Sequence, residues 1–122
     1  MKLKTQGYFK EMLHGDESNP SIFDYIQPKA NKNEEEIINY LKNGIVIVAC
    51  GGVVSDIINP DNGLAGCPEL KTDGIWVWSG DLAYYVKRYH LKLDEEFIET
   101  MRCNNWHIKE DLKIDYDDLQ II

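Results

Sequence analysis

The hydrophobic pattern changes period most cleanly between Thr72 and His90. Thr72-Asp73-Gly74 is a turn signal. From Ile75 to Trp78 the chain alternates as a strand, with Ile75 and Val77 on one face and Trp76 and Trp78 on the other. Leu82, Tyr85, Val86 and Tyr89 then follow at helical spacing. Ser79 fits the N-cap of that helix, and Asp81 falls in its first turn, where the helix dipole favours negative charge. Core burial is the ordinary destination of such a strand and helix. The alternative leaves Trp76 or Trp78, with Tyr84, as an aromatic face for a partner.

The remaining pattern predicts an α+β domain. Tyr8 to Leu13 reads as a short helix stopped by Gly15. Ser21 caps a second short helix, with Asp24 three residues on and Ile22, Phe23 and Ile26 as its apolar contacts, closed by Pro28. Asn33 and Glu36 have capping-box spacing; Ile37, Ile38 and Leu41 form the buried stripe of a helix, and Gly44 stands where a left-handed C′ residue belongs. Ile45 to Cys50 is apolar throughout and reads as a strand buried on both faces. Gly51-Gly52 turns the chain into a helix over Val53 to Ile58. Asp61 to Asp73 is a glycine-punctuated loop. Asp94 caps a helix carrying Phe97, Ile98 and Met101 inward, with Leu93 and Ile98 placed as a hydrophobic staple. A strand is expected near 106–109 or 112–116, and Leu119, Ile121 and Ile122 dock back on the core. The expectation is one domain over 1–122, with helices on a small sheet of about three strands.

Charge sharpens this picture. The 122 residues carry a net charge of −8, and residues 94–122 hold nine acidic against three basic side chains. That sign argues against nucleic acid as a direct ligand, because a phosphate binder needs the opposite one. It suits a basic protein partner, which the field would attract and orient. Asp94, Glu95, Glu96, Asp115, Asp117 and Asp118 are the candidate steering residues, and Trp76, Trp78 and Tyr84 the candidate anchors. No apolar run approaches the roughly 20 residues of a membrane span. An odd cysteine count (Cys50, Cys67 and Cys103), without an apolar signal core, points to reduced thiols in the cytoplasm.

Motifs for chemistry are sparse. Strand, Gly51-Gly52, helix resembles half of a phosphate cradle, yet G-x-G-x-x-G and the P-loop lysine are missing. His14, His90 and His107 are isolated, and no zinc-ligand spacing appears, so neither a metal nor another cofactor is expected. The most enzyme-like fragment is His14-Gly15-Asp16, a loop histidine beside an aspartate. With the 61–73 loop it defines an alternative, a small enzyme or ligand-binding domain. A homo-oligomer built on the tryptophan face is a third reading.

Four stretches carry a resemblance: GYFKEMLHGDESNPSIFDYI, YLKNGIVIVA, GGVVSDIINP and TDGIWVWSGDLAYYVKRYHLKLDEEFIETM. Together they resemble a family of small uncharacterised bacterial proteins with an HGD N-terminal loop and a TDG-x-W-x-W…L-x-Y-Y-V-x-x-Y signature. Where that family carries proline after the tryptophan or in L-P-x-x-F, this chain has Ser79 and Asp94. In size and acidity it is similar to immunity proteins that neutralise secreted toxins. The resemblance implies a non-catalytic inhibitor that occludes a basic, nuclease-like toxin domain.

Overall fold

A computed structural model describes residues 1–121. Its centre is a hairpin of β5 (Leu70–Thr72) and β6 (Trp76–Ser79), paired antiparallel. The Thr72-Asp73-Gly74 signal makes that turn for visible reasons. Asp73 Oδ1 accepts from the backbone N–H of Ile75 (2.9 Å) and Trp76 (2.7 Å), and Thr72 Oγ1 accepts from Gly74 N (2.9 Å). Gly74 supplies the positive φ of 97° that the turn requires. The other aspartate oxygen, Oδ2, accepts from Tyr40 Oη (2.6 Å), which ties the turn to a helix.

The sheet around this hairpin has five strands, more than the three expected. β2 (Ile45–Val48) adds antiparallel to β5, and β1 (Lys2–Thr5) adds parallel to β6. A short strand, Gln120–Ile121, adds parallel to β1 at the far edge; in chain order it is β7. The spatial order is β2-β5-β6-β1-β7. β3 (Val54–Ser55) and β4 (Leu64–Gly66) form a separate antiparallel ribbon. No strand forms over 106–109 or 112–116; a 3-10 turn at Tyr116–Asp118 leads into β7 instead. Leu119 packs on the sheet, Ile121 is exposed, and Ile122 lies outside the described residues.

Three helices, α1 (Glu34–Lys42), α2 (Leu82–Tyr89) and α3 (Glu95–Cys103), match the predicted stripes. Ile37, Leu41, Leu82, Tyr85, Val86, Phe97 and Met101 are buried together with Trp76 and Trp78. The opposite face of the sheet holds a smaller cluster of Leu3, Leu70 and Val77, covered by Met1, Tyr8, Ile47 and Leu119. Fully burying one such aliphatic side chain contributes about 1.5–3 kcal/mol, so the helix-facing cluster dominates.

Several local expectations are corrected. Tyr8 to Leu13 forms turns, not a helix, while Phe9 and Met12 still reach the core. The Ser21-capped helix is a 3-10 turn, Ile22–Tyr25, in which Ser21 Oγ accepts from Phe23 N (3.3 Å). Val53 to Ile58 contributes β3 and a bend, and the 61–73 segment contains the two short strands β4 and β5. β2 is an edge strand, so Val46 and Val48 are each 41% exposed where burial on both faces was expected. Asn33 occupies the N-cap of α1 in a left-handed conformation and makes no side-chain cap bond. Gly44 is needed for close approach: a Cβ there would meet Trp78 Cζ2 at 2.5 Å. Ser79 ends β6, and Asp81 takes the N-cap position of α2.

Candidate functional site

The sheet and helices divide the predicted site residues into three places. The first is the core. Trp76 is 4% exposed and Trp78 is 0% exposed, so neither is a surface anchor. Their indole rings pack against Phe97 with centroids 5.2 Å away. Trp78 Nε1 donates to the Leu41 carbonyl (3.0 Å), and Trp76 Nε1 donates to Thr100 Oγ1 (3.1 Å). Both polar ends are therefore satisfied inside the protein, as buried tryptophans require. Tyr84 is half-buried and spends its hydroxyl on a buried carboxylate, donating to Asp56 Oδ2 (2.7 Å).

The second place is the acidic surface. Asp94, Glu95 and Glu96 are exposed at the start of α3, and Asp115, Asp117 and Asp118 are exposed in and beside the 3-10 turn before β7. β1 links the two groups. Gln6, just past β1, accepts from Asp94 N (2.7 Å) and donates to Asp94 Oδ2 (3.0 Å). Lys4 stands 3.8 Å from Glu96, and the N-terminal ammonium of Met1 stands 2.9 Å from Asp118. That ammonium, by hydrogen bond and then by charge, lowers the Asp118 carboxyl below the usual range. Asp115 accepts from Asp117 N (3.1 Å) and so shapes the turn. Among these carboxylates sits Tyr116, 59% exposed. Sequence reasoning passed over it, although an aromatic bracketed by three aspartates in DYDD was the available signal.

The third place is the C-terminal end of the parallel β1/β6 pair. His14 does not pair with Asp16: that carboxylate turns away to Ser18, whose hydroxyl and N–H (2.8 Å) lower its pKa. Instead His14 Nε2 donates to the Pro68 carbonyl at 2.7 Å, joining its loop to the 61–73 segment. Tyr8 stacks on the imidazole, with centroids 6.0 Å apart. Asp81, at the N-cap of α2, is buried. Burial pushes the Asp81 carboxyl up, while the hydrogen bond from the Ser79 hydroxyl and one from its own backbone N–H pull it down; the net shift is upward. Next to this, a crevice of about 240 Å³ opens at the end of β1, lined by Gln6, Gly7, Tyr8, Asn19, Lys92 and Asp94. It takes in part of the His14 loop and none of the 61–73 segment.

A fourth cluster has no counterpart in the sequence reading. Asp56 is closed off from solvent and accepts from Tyr84 Oη, Tyr89 Oη, Ile58 N (2.8 Å), Asn59 N (2.9 Å) and Asn62 Nδ2 (3.4 Å). Tyr85 Oη accepts from Ile57 N at 3.0 Å. Three tyrosines of α2 thus hold the β3–β4 ribbon. Among the described residues no three His, Cys, Asp or Glu side chains gather to hold a metal ion, and no helix is long and apolar enough to cross a membrane.

Comparison with known proteins gives no match: no family model fits the sequence, and neither a curated protein nor a solved structure matches it.

Proposed function

We propose that this protein is a binding protein for a basic protein partner, acting as an immunity-type inhibitor that occludes a cationic, nuclease-like cleft. The observation that carries this reading is Tyr116, an exposed aromatic set among Asp115, Asp117 and Asp118. Tyrosine is favoured at interface hot spots, and surrounding carboxylates steer a cationic surface towards it. The anchor is therefore Tyr116 in place of the buried Trp76 and Trp78. Asp94, Glu95 and Glu96, at the other end of β1, extend the same negative field. The test is capture of a basic protein from the source cells on immobilised chain, followed by association kinetics at low and high salt. The expected result is a stoichiometric complex whose on-rate falls steeply with salt. Reversing Asp117 and Asp118 to lysine should slow association about tenfold or more. Salt-independent association would overturn the steering mechanism.

A second reading is favoured by one observation, the 2.7 Å contact between His14 and Pro68. It fixes a histidine against the segment that enters β5, near the end of the parallel β1/β6 pair, and the carboxyl of Asp81, buried at the start of α2, has a raised pKa. In that reading the protein is a small enzyme or ligand-binding domain using His14 and Asp81, with Asp81 in the role first expected of Asp16. A thermal-shift screen of small molecules tests it: hits abolished by His14→Ala and kept by the Asp117/Asp118 reversal would support it. Hits indifferent to His14 would end it.

A further inference from the structure

We propose that Cys50 and Cys67 form a reversible intramolecular disulfide when the protein meets a two-electron oxidant such as hydrogen peroxide. The two residues are brought together by the sheet. In the antiparallel β2/β5 ladder Val48 lies opposite Leu70. Both strands end at that pair, and Cys50 and Cys67 lie just beyond it, on the segments that leave β2 and enter β5. The thiol of Cys67 already touches the other residue, with Sγ 3.4 Å from the Cys50 carbonyl oxygen. Both cysteines are half-buried, so a molecule as small as peroxide reaches them.

The two sides of the pair differ in freedom. Cys67 is fixed: its carbonyl lies 2.5 Å from where a Cβ on Gly80 would stand, and Gly80 N donates to Glu69 O at 2.7 Å. Cys50 lies two residues past the edge strand β2 and precedes Gly51 and Gly52, around whose Cβ positions there is open space. One thiol held in place and one with room to turn is a favourable arrangement for closing a bond without distorting the core.

The chemistry balances with peroxide as sole oxidant. The Cys67 thiolate attacks peroxide; the O–O bond breaks, a sulfenic acid forms, and hydroxide leaves as water after taking a proton. The Cys50 thiolate then attacks that sulfur; the S–S bond forms, the S–O bond breaks, and a second water leaves. Two thiols and one peroxide become one disulfide and two waters, and an external dithiol reverses the change. The bond closes a loop between residues 17 apart that contains the β3–β4 ribbon.

The test uses the full chain with Cys103→Ser, since Cys103 is exposed on α3 and is the remaining thiol. After peroxide treatment, alkylation and trypsin, one peptide, Asn43–Lys71, carries both cysteines with no internal lysine or arginine. The expected result is a monomer whose peptide is unalkylated and lighter by two hydrogens, and which recovers two alkylation sites after dithiothreitol. Cys50→Ser should leave Cys67 as a sulfenic acid that dimedone traps. Two alkylated thiols after oxidation, separate oxygen adducts on both, or a disulfide between two copies would overturn the proposal. The same peptide from the unsubstituted protein gives the same reading if Cys103→Ser does not fold.

Discussion

Asp56 is a carboxylate shut away from water and held by hydrogen-bond donors rather than by a cation. Burial pushes its pKa up, but the bonds from Tyr89, Asn59 N, Tyr84 and Ile58 N outweigh it and hold the carboxyl at about 2. An ordinary aspartate titrates near 3.8. The folded state thus gains stability that is complete above that pH and is lost as pH falls through 4 towards 2. Asp56 is covered but lies just beneath the surface, so nearby solvent screens part of this effect and the gain is about 1–2 kcal/mol. Asp56→Asn should cost about that much at neutral pH and flatten the acid limb of the stability curve, as read by urea unfolding across pH. At this scale the sequence was legible where a residue acts on its immediate neighbours. Asp73 and Gly74 form the turn their order announces. Asp56 was not legible, because its partners Tyr84 and Tyr89 are 28 and 33 residues away.

Among the elements, β2 has the clearest liability. Asn43 to Ser55 contains no charged residue, β2 is an edge strand with a neighbour on one side, and Val46 and Val48 are turned to solvent. Edge strands of this kind template further strand addition unless charge or proline interrupts them. Val46→Lys and Val48→Lys should change stability by less than about 0.5 kcal/mol. They should also delay aggregation of the concentrated protein, followed by light scattering. Helices α1, α2 and α3 were readable because their apolar stripes are periodic over eight or nine residues. β1 was not, since Lys2–Thr5 offers only Leu3 as a buried residue. Ile45 to Val48 misled for a related reason: apolar residues at every position signal a strand but not whether a neighbour lies on both sides. Tyr8 to Leu13 misled differently, because Phe9 and Met12 reach the core from turns tied down by Lys10 N to Pro20 O at 3.0 Å.

For the molecule as a whole, the net charge of −8 and its concentration after residue 93 set how partners approach. The salt sensitivity and the Asp117/Asp118 reversal proposed above belong to this scale, because steering depends on the summed field and not on one contact. The acidic bias was plain in the sequence. The identity of the exposed aromatic was not, since composition cannot say which tryptophans a sheet will cover. β1 carries a further consequence. It lies between β6 and β7, strands made some 70 and more residues after it, and pairs with both. Loop closure over such separations is slow compared with forming the β5–β6 hairpin or the helices. During synthesis Lys2–Thr5 must therefore wait without a partner until β6 has been made, and its other edge waits until β7 follows. Until it inserts, β6 keeps a bare edge beside the two tryptophans, and that is the interval in which a newborn chain is most exposed to mispairing.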